Sequence, residues 1–233
     1  MTILKMSLEI PKNWKTILKW VALGLVGVFV LVFFVRVVTF EDAYYREKEG
    51  SERDTVEQVA EEEELIEEAP TAKEREEYTV SADRPRYISI EKLGVVDARV
   101  IPVGVKTSGE LGTPSNIFDV GWYESSGKPG AGGTLVIDGH NGGPHVHGVF
   151  KDLPSLKNGD IITIERGDGE IFNYRVVENV TVALADSDMY MATAMRTPEI
   201  GKESVTLISC TGEWSQQQRT YLSRQFTRAV LVQ

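Results

Sequence analysis

Sixteen consecutive residues, Trp20 to Val35, read WVALGLVGVFVLVFFV without a charge, and this run divides the chain before any other feature is weighed. A membrane-spanning helix needs about 20 mostly apolar residues, within a range of about 17–25. Lys19 and Arg36 bound the run and Val37-Val-Thr-Phe follows it, so snorkelling of the two cations toward the interfaces supplies the missing length. The pattern predicts a transmembrane helix over residues 17–38. A cleaved signal peptide is the competing reading, but its apolar region usually covers about 7–15 residues and ends in a small-residue site. Lys5, Lys12, Lys15 and Lys19 stand before the helix against a single Glu9. The positive-inside rule therefore puts residues 1–16 in the cytoplasm and everything beyond Arg36 outside, at the cell membrane.

The formal net charge of −10 belongs to one segment. Between Glu41 and Glu77 there are 16 Asp+Glu and 5 Lys+Arg, which leaves the rest of the chain near neutrality. A stretch with few large apolar residues and dense like charge cannot offset the entropy of ordering. Residues 39–80 are read as an acidic, largely disordered spacer, with helical stretches around Thr55–Glu68. No basic excess remains elsewhere to imply a nucleic-acid partner.

Beyond Tyr78 the pattern changes to short β-rich runs: Arg86–Ile90, Ala98–Val103, Gly133–Asp138, Ile161–Glu165, Phe172–Leu184, Ser204–Cys210 and Phe226–Val232. Gly, Pro and Asn punctuate them, as in Lys157-Asn-Gly-Asp. Such spacing predicts an all-β barrel or sandwich over residues 81–233. Helices are confined to short turns near Val149–Leu153 and Ser187–Met195.

Three features carry possible chemistry. Cys210 is the single cysteine, which excludes an intrachain disulfide. A free thiol outside the cell is a nucleophile, a partner for another chain, or a buried small hydrophobe. His140 closes the strand-like Leu135-Val-Ile-Asp-Gly-His, either facing a cleft or serving as a turn residue. His145, His147 and Asp138 nearby invite a zinc reading, but the spacing matches no recognised ligand motif. Arg224 and Arg228 lie in the last strand on one face, about 13 Å apart at the usual rise per residue, so at most one of them reaches the Cys210 sulfur.

Together these residues resemble the sortase family. Asp119-Val-Gly-Trp-Tyr followed by Lys128-Pro-Gly-Ala-Gly-Gly-Thr-Leu-Val-Ile-Asp-Gly-His is similar to the segment leading to the sortase histidine, and Val149-Phe-Lys-Asp-Leu with Lys157-Asn-Gly-Asp to the segment after it. A cysteine after Thr-Leu-Ile-Ser, and an arginine five residues before an alanine (Arg224 and Ala229), complete the pattern over about residues 84–233. The resemblance implies a closed β-barrel with short helices and a cysteine transpeptidase with His140, Cys210 and Arg224 as catalytic groups. By the same resemblance, a sorting-signal (LPXTG-like) peptide is cleaved through a thioester. It is then passed to an amine acceptor such as a cell-wall precursor or a pilin lysine. The segment Ala185–Glu203 would wall the peptide groove through Met189, Met191 and Thr193. No cofactor or metal is required; some relatives use calcium, but no carboxylate cluster here indicates it. Two other readings remain: a membrane-tethered thiol hydrolase with the same site, and a non-catalytic extracellular β-domain.

Overall fold

The computed structural model describes residues 65–106, 109 and 111–232. The cytoplasmic segment 1–16, the transmembrane helix 17–38 and linker residues 39–64 expected from the sequence lie outside the described residues. Among the described residues no helix is long and apolar enough to cross a membrane.

Eight strands close into a barrel: β1 (Pro85–Ile90), β2 (Val95–Val103), β3 (Val120–Tyr123), β4 (Thr134–Gly139), β5 (Ile161–Arg166), β6 (Ile171–Ala183), β7 (Ser204–Ser215) and β8 (Thr220–Leu231). Their order around the barrel is β1-β2-β3-β4-β7-β8-β6-β5. Closure gives each ladder a partner on both sides and removes the exposed edges of an open sheet. The pairs β2·β3 and β4·β7 are parallel and the others antiparallel.

Strand alternation sends Ile88, Ile90, Leu135, Ile137, Ile162, Ile164, Val205 and Leu207 inward, where they join the main core around Trp122, Phe150 and Tyr174. A smaller apolar cluster lies on the outside. Val136, Ile208 and Phe226 point away from the barrel interior and pack under Ala194 of helix α1 (Ser187–Ala194), in the loop between β6 and β7. Because β4 and the first half of β7 are covered on both faces, all of their residues through Gly139 and Ser209 are buried. This double burial explains why they read as continuous apolar runs rather than alternating ones.

The expected strands are present, with differences of physical origin. β3 is only four residues long and carries too little pattern to be recognised from sequence. β7 does not end at Cys210, nor does β8 begin at Arg224. Both continue as a hairpin in which Trp214 faces Tyr221 and Ser215 faces Thr220. That extension is largely polar and half-exposed, so apolar content stops marking it while backbone pairing goes on. The helix expected near Val149–Leu153 is a turn leading into a single 3-10 turn, Leu153–Ser155.

Residues 65–80, assigned above to the disordered spacer, are folded against the barrel. Ala72–Glu77 form a helical turn whose N-cap Thr71 exchanges hydrogen bonds with Glu74 in a capping box. Tyr78 donates its hydroxyl to the Val100 carbonyl at 2.6 Å, and Tyr87 donates to the carbonyl of Arg75. Composition missed this because long-range partners, rather than local apolar content, hold the segment.

At the end of the barrel where β7 begins, the buried Glu203 carboxylate accepts from the backbone N–H groups of Gly130 (3.0 Å) and Gly132 (2.7 Å) and from the Tyr174 hydroxyl (2.6 Å). Glu203→Ala strands all three donors and is expected to cost about 3 kcal/mol of unfolding free energy. Chemical denaturation of the full-length protein followed by tryptophan fluorescence measures it.

Candidate active site

The parallel register of β4 and β7 pairs Thr134 with Ser204 and keeps step through Asp138 and Ile208. Ser209 Oγ donates to the Gly139 carbonyl at 2.9 Å, one residue further on. His140 and Cys210 are the residues that directly follow Gly139 and Ser209 in the chain. On the other side of β7, Cys210 is the direct antiparallel partner of Arg224 on β8. Cys210 lies two residues beyond Ile208 and Arg224 two residues before Phe226, so both share the outward face of the smaller apolar cluster. Burial marks the same line. Gly139, Ser209 and Gln225 are buried, whereas their neighbours His140, Cys210 and Arg224 are partly open to solvent. All three predicted residues thus come to one rim of the barrel, where the covered part of the sheet ends.

Gly139 is required at the bend before His140, since a Cβ there would overlap the Phe150 ring. The backbone is then pinned by Phe150 N–H donating to the His140 carbonyl at 3.0 Å. His140 Nε2 lies 2.7 Å from the Pro114 carbonyl. A carbonyl can only accept, so the bond requires the Nε2–H tautomer and leaves Nδ1 as the basic ring atom. Burial pushes the imidazole below its ordinary pKa, opposed by the Pro114 bond and assisted by the Lys106 ammonium. Burial also pushes the Cys210 thiol up; the Arg224 charge opposes this and the Asp138 carboxylate adds to it. Burial thus favours the uncharged form of each group.

Arg224 is oriented along its own strand. Its Nη1 donates to the carbonyls of Tyr221 (3.0 Å) and Ser223 (3.1 Å), and Nη2 reaches Thr220 Oγ1 at 3.3 Å. Arg228 has a different task. It is buried opposite Thr206, pairs with Glu178, and donates to the carbonyls of Arg196 (2.8 Å) and Thr193 (3.3 Å) at the end of α1. Arg228 fastens the end of α1, and Arg224 is the arginine paired with Cys210.

Of the three groove residues expected on α1, Met191 packs on the smaller cluster, while Met189 (75 % exposed) and Thr193 turn to solvent. Tyr190, which the sequence reading did not single out, covers Phe226 with ring centroids 4.8 Å apart and donates to Glu178 at 2.8 Å. Its spacing from Ser187, Met191 and Ala194 at helical intervals was the available signal. Pro114 had none, being 26 residues from His140 in sequence. His145 and His147 are exposed in the loop that follows His140.

Asp138 is a second addition to the site. It is two residues before His140, 8 % exposed, and its Oδ1 has no hydrogen-bond partner among the described residues. Gly121, paired with it across β3·β4, leaves room for the carboxyl, because a Cβ at 121 would overlap it. Burial raises its pKa to about 7, against a hydrogen bond from Thr113 and the charge of Lys106.

A family model described as the sortase domain matches residues 88–232. Among solved structures, the chain is similar to a sortase D5 transpeptidase of Clostridium perfringens (22% identity, 70% of this chain and 90% of that one, TM-score 0.46). It is also similar to sortase A of Corynebacterium diphtheriae (26%, 66% and 63%, TM-score 0.46). A third is sortase C1 of Streptococcus agalactiae (26%, 70% and 78%, TM-score 0.48). No curated protein matches it.

The two charges near the sulfur act in opposite senses, which fixes the sign of two substitutions. Asp138→Asn removes an anion that raises the thiol pKa, so the pH midpoint for alkylation of Cys210 by iodoacetamide moves down. Arg224→Gln removes a cation that lowers it, so the midpoint moves up. Each displacement should be about half a unit to one unit, the size of a single nearby charge in a partly screened site.

Proposed function

This chain belongs to the sortase family, and we propose that its barrel is a cysteine transpeptidase cleaving sorting-signal peptides with Cys210, His140 and Arg224. The observation that supports this assignment of residues is the register on either side of β7: Cys210 pairs with Arg224 of β8, and the β4·β7 pairing runs through Asp138 and Ile208, two residues before His140 and Cys210.

Cys210 Sγ attacks the carbonyl carbon of a Thr–Gly-type bond while its proton passes to His140 Nδ1. The Nε2–H bond to Pro114 holds the ring in the tautomer that can accept there. Arg224 donates hydrogen bonds to the oxyanion of the tetrahedral intermediate. On collapse the C–N bond breaks, the imidazolium protonates the leaving amine, and the acyl group remains on sulfur as a thioester. An incoming amine then attacks, gives its proton back to His140, and displaces the sulfur. No cofactor is needed in either half-reaction.

In this reading the helix over 17–38 tethers the enzyme to the cell membrane with its domain outside, where signal-bearing surface proteins and cell-wall or pilin amines are available. Support comes from the uncharged run and the lysines before it.

The test is incubation of the full-length protein in detergent with a sorting-signal peptide library and an amine acceptor, followed by mass spectrometry of products and enzyme. Cleaved peptide joined to the amine, and an acyl adduct on Cys210, are expected; Cys210→Ala abolishes both, and His140→Ala lowers turnover by at least about 100-fold. Cleavage giving only acid, whatever the amine concentration, would establish a hydrolase instead. Absence of any adduct on Cys210 across the library would overturn the enzymatic reading.

A further inference from the structure

The acidic segment that leads into the barrel ends against the two structures that hold His140. Ile66 forms a parallel bridge with Asn116: its N–H donates to the Ser115 carbonyl at 2.9 Å, and its own carbonyl accepts from Ile117 N–H at 3.1 Å. Asn116 Nδ2 donates to the Glu68 carbonyl at 3.0 Å. This strap therefore adds a short strand to residues 115–117, the residues directly after the carbonyl that receives the His140 ring. Ile117 in turn accepts from Val149 N–H at 2.9 Å, next to the Phe150 N–H that holds the His140 carbonyl.

Between these two contacts Glu67 reaches the loop that follows the histidine. Its Oε1 accepts from the N–H groups of His145 (2.9 Å) and Val146 (3.3 Å). The loop is itself a closed ring, with Gly148 N–H donating to Asn141 at 2.8 Å and Gly143 N–H to Val146 at 2.9 Å. Gly143 has no side chain to spare: a Cβ there would overlap the Glu67 carboxylate. The carboxylate thus fits a socket made of two convergent donors and a glycine.

We propose that Glu67 is a positioning residue for His140, and that residues 66–68 clamp the imidazole by fixing Pro114 on one side and the 141–148 loop on the other. Neither half suffices alone. Among the described residues the ring's hydrogen-bond anchor is a carbonyl in a loop, and the backbone leaving His140 enters a glycine-containing loop, so a third element that touches both supports keeps them in register. Leu65 and Ile66 are exposed, and an open cleft of about 690 Å³ is lined by Ile66, Pro70, Arg99, Val103, Thr113 and Pro114, so apolar burial contributes little to seating the strap. Directional hydrogen bonds fix its place. The same arrangement makes the last residues of the membrane spacer part of the support for the proposed acid–base group.

This inference rests on the reading of His140 as that group, and its test does not depend on turnover. Full-length protein in detergent is treated with diethyl pyrocarbonate at neutral pH, and carbethoxylation of His140 is followed by peptide mapping relative to the exposed His147. Glu67→Ala should raise the His140 to His147 rate ratio several-fold. Glu67→Gln, whose amide oxygen still accepts from both N–H groups, should stay close to the native ratio. Ile66→Pro, which deletes the N–H given to Ser115, should raise it as Glu67→Ala does. Unchanged ratios in Glu67→Ala and Ile66→Pro, with the barrel still melting cooperatively, overturn the proposal. So does a Gln variant indistinguishable from Ala, because charge rather than hydrogen-bond geometry would then be responsible. Should no sorting-signal cleavage ever be found, these rates still report whether the clamp exists.

Discussion

The parallel pairing of β4 with β7 is the constraint on which the arrangement of the site depends. The strands carry residues 70 positions apart, and a slip of one would turn Val136 and Ile208 inward while expelling Leu135 and Leu207. Burial on both faces opposes that exchange, and the Thr134–Ser204 and Ser209–Gly139 hydrogen bonds fix the same register. The chemistry is placed one residue past the point where packing has finished its work, which allows His140 and Cys210 to be partly open without loosening the strands that carry them. β8 adds Arg224 from the opposite side by the same rule, its buried run beginning at the next residue.

Much of this was legible in the chain because buried strands announce themselves. Leu135-Val-Ile and Val205-Thr-Leu-Ile could be read as strands, and a histidine and a cysteine at their ends could be suspected of meeting. The choice between Arg224 and Arg228 could not be made from spacing alone; it needed the pairing partner of each and the burial of Arg228 against Glu178. Residues 65–80 were misread because their affinity for the barrel lies in single hydrogen bonds to distant carbonyls, which leave no periodic trace in a sequence. Pro114 and Glu67 belong to the same class. Tyr190 does not, since its place on the covered face of α1 follows from the helical repeat.

Electrostatically, burial favours the uncharged forms of His140 and Cys210, and Cys210 sits between unlike neighbours. Arg224 favours the thiolate and Asp138 disfavours it. A carboxyl with an unpartnered oxygen beside a thiol is costly for a stable fold to keep, and buried groups of this kind cluster where function shapes the surroundings. Its effect is to favour the protonated sulfur, against the pull of Arg224.

Helix α1 is fastened by one face and by its last carbonyls: Tyr190, Met191 and Ala194 rest on the cluster, and Arg228 grips Thr193 and Arg196 from below. Met189, Ala192 and the Thr193 side chain look outward and carry no part of that attachment. Substitution at those outward positions therefore leaves the seat of α1 untouched, and this surface can change its chemistry while the barrel beneath it stays as it is.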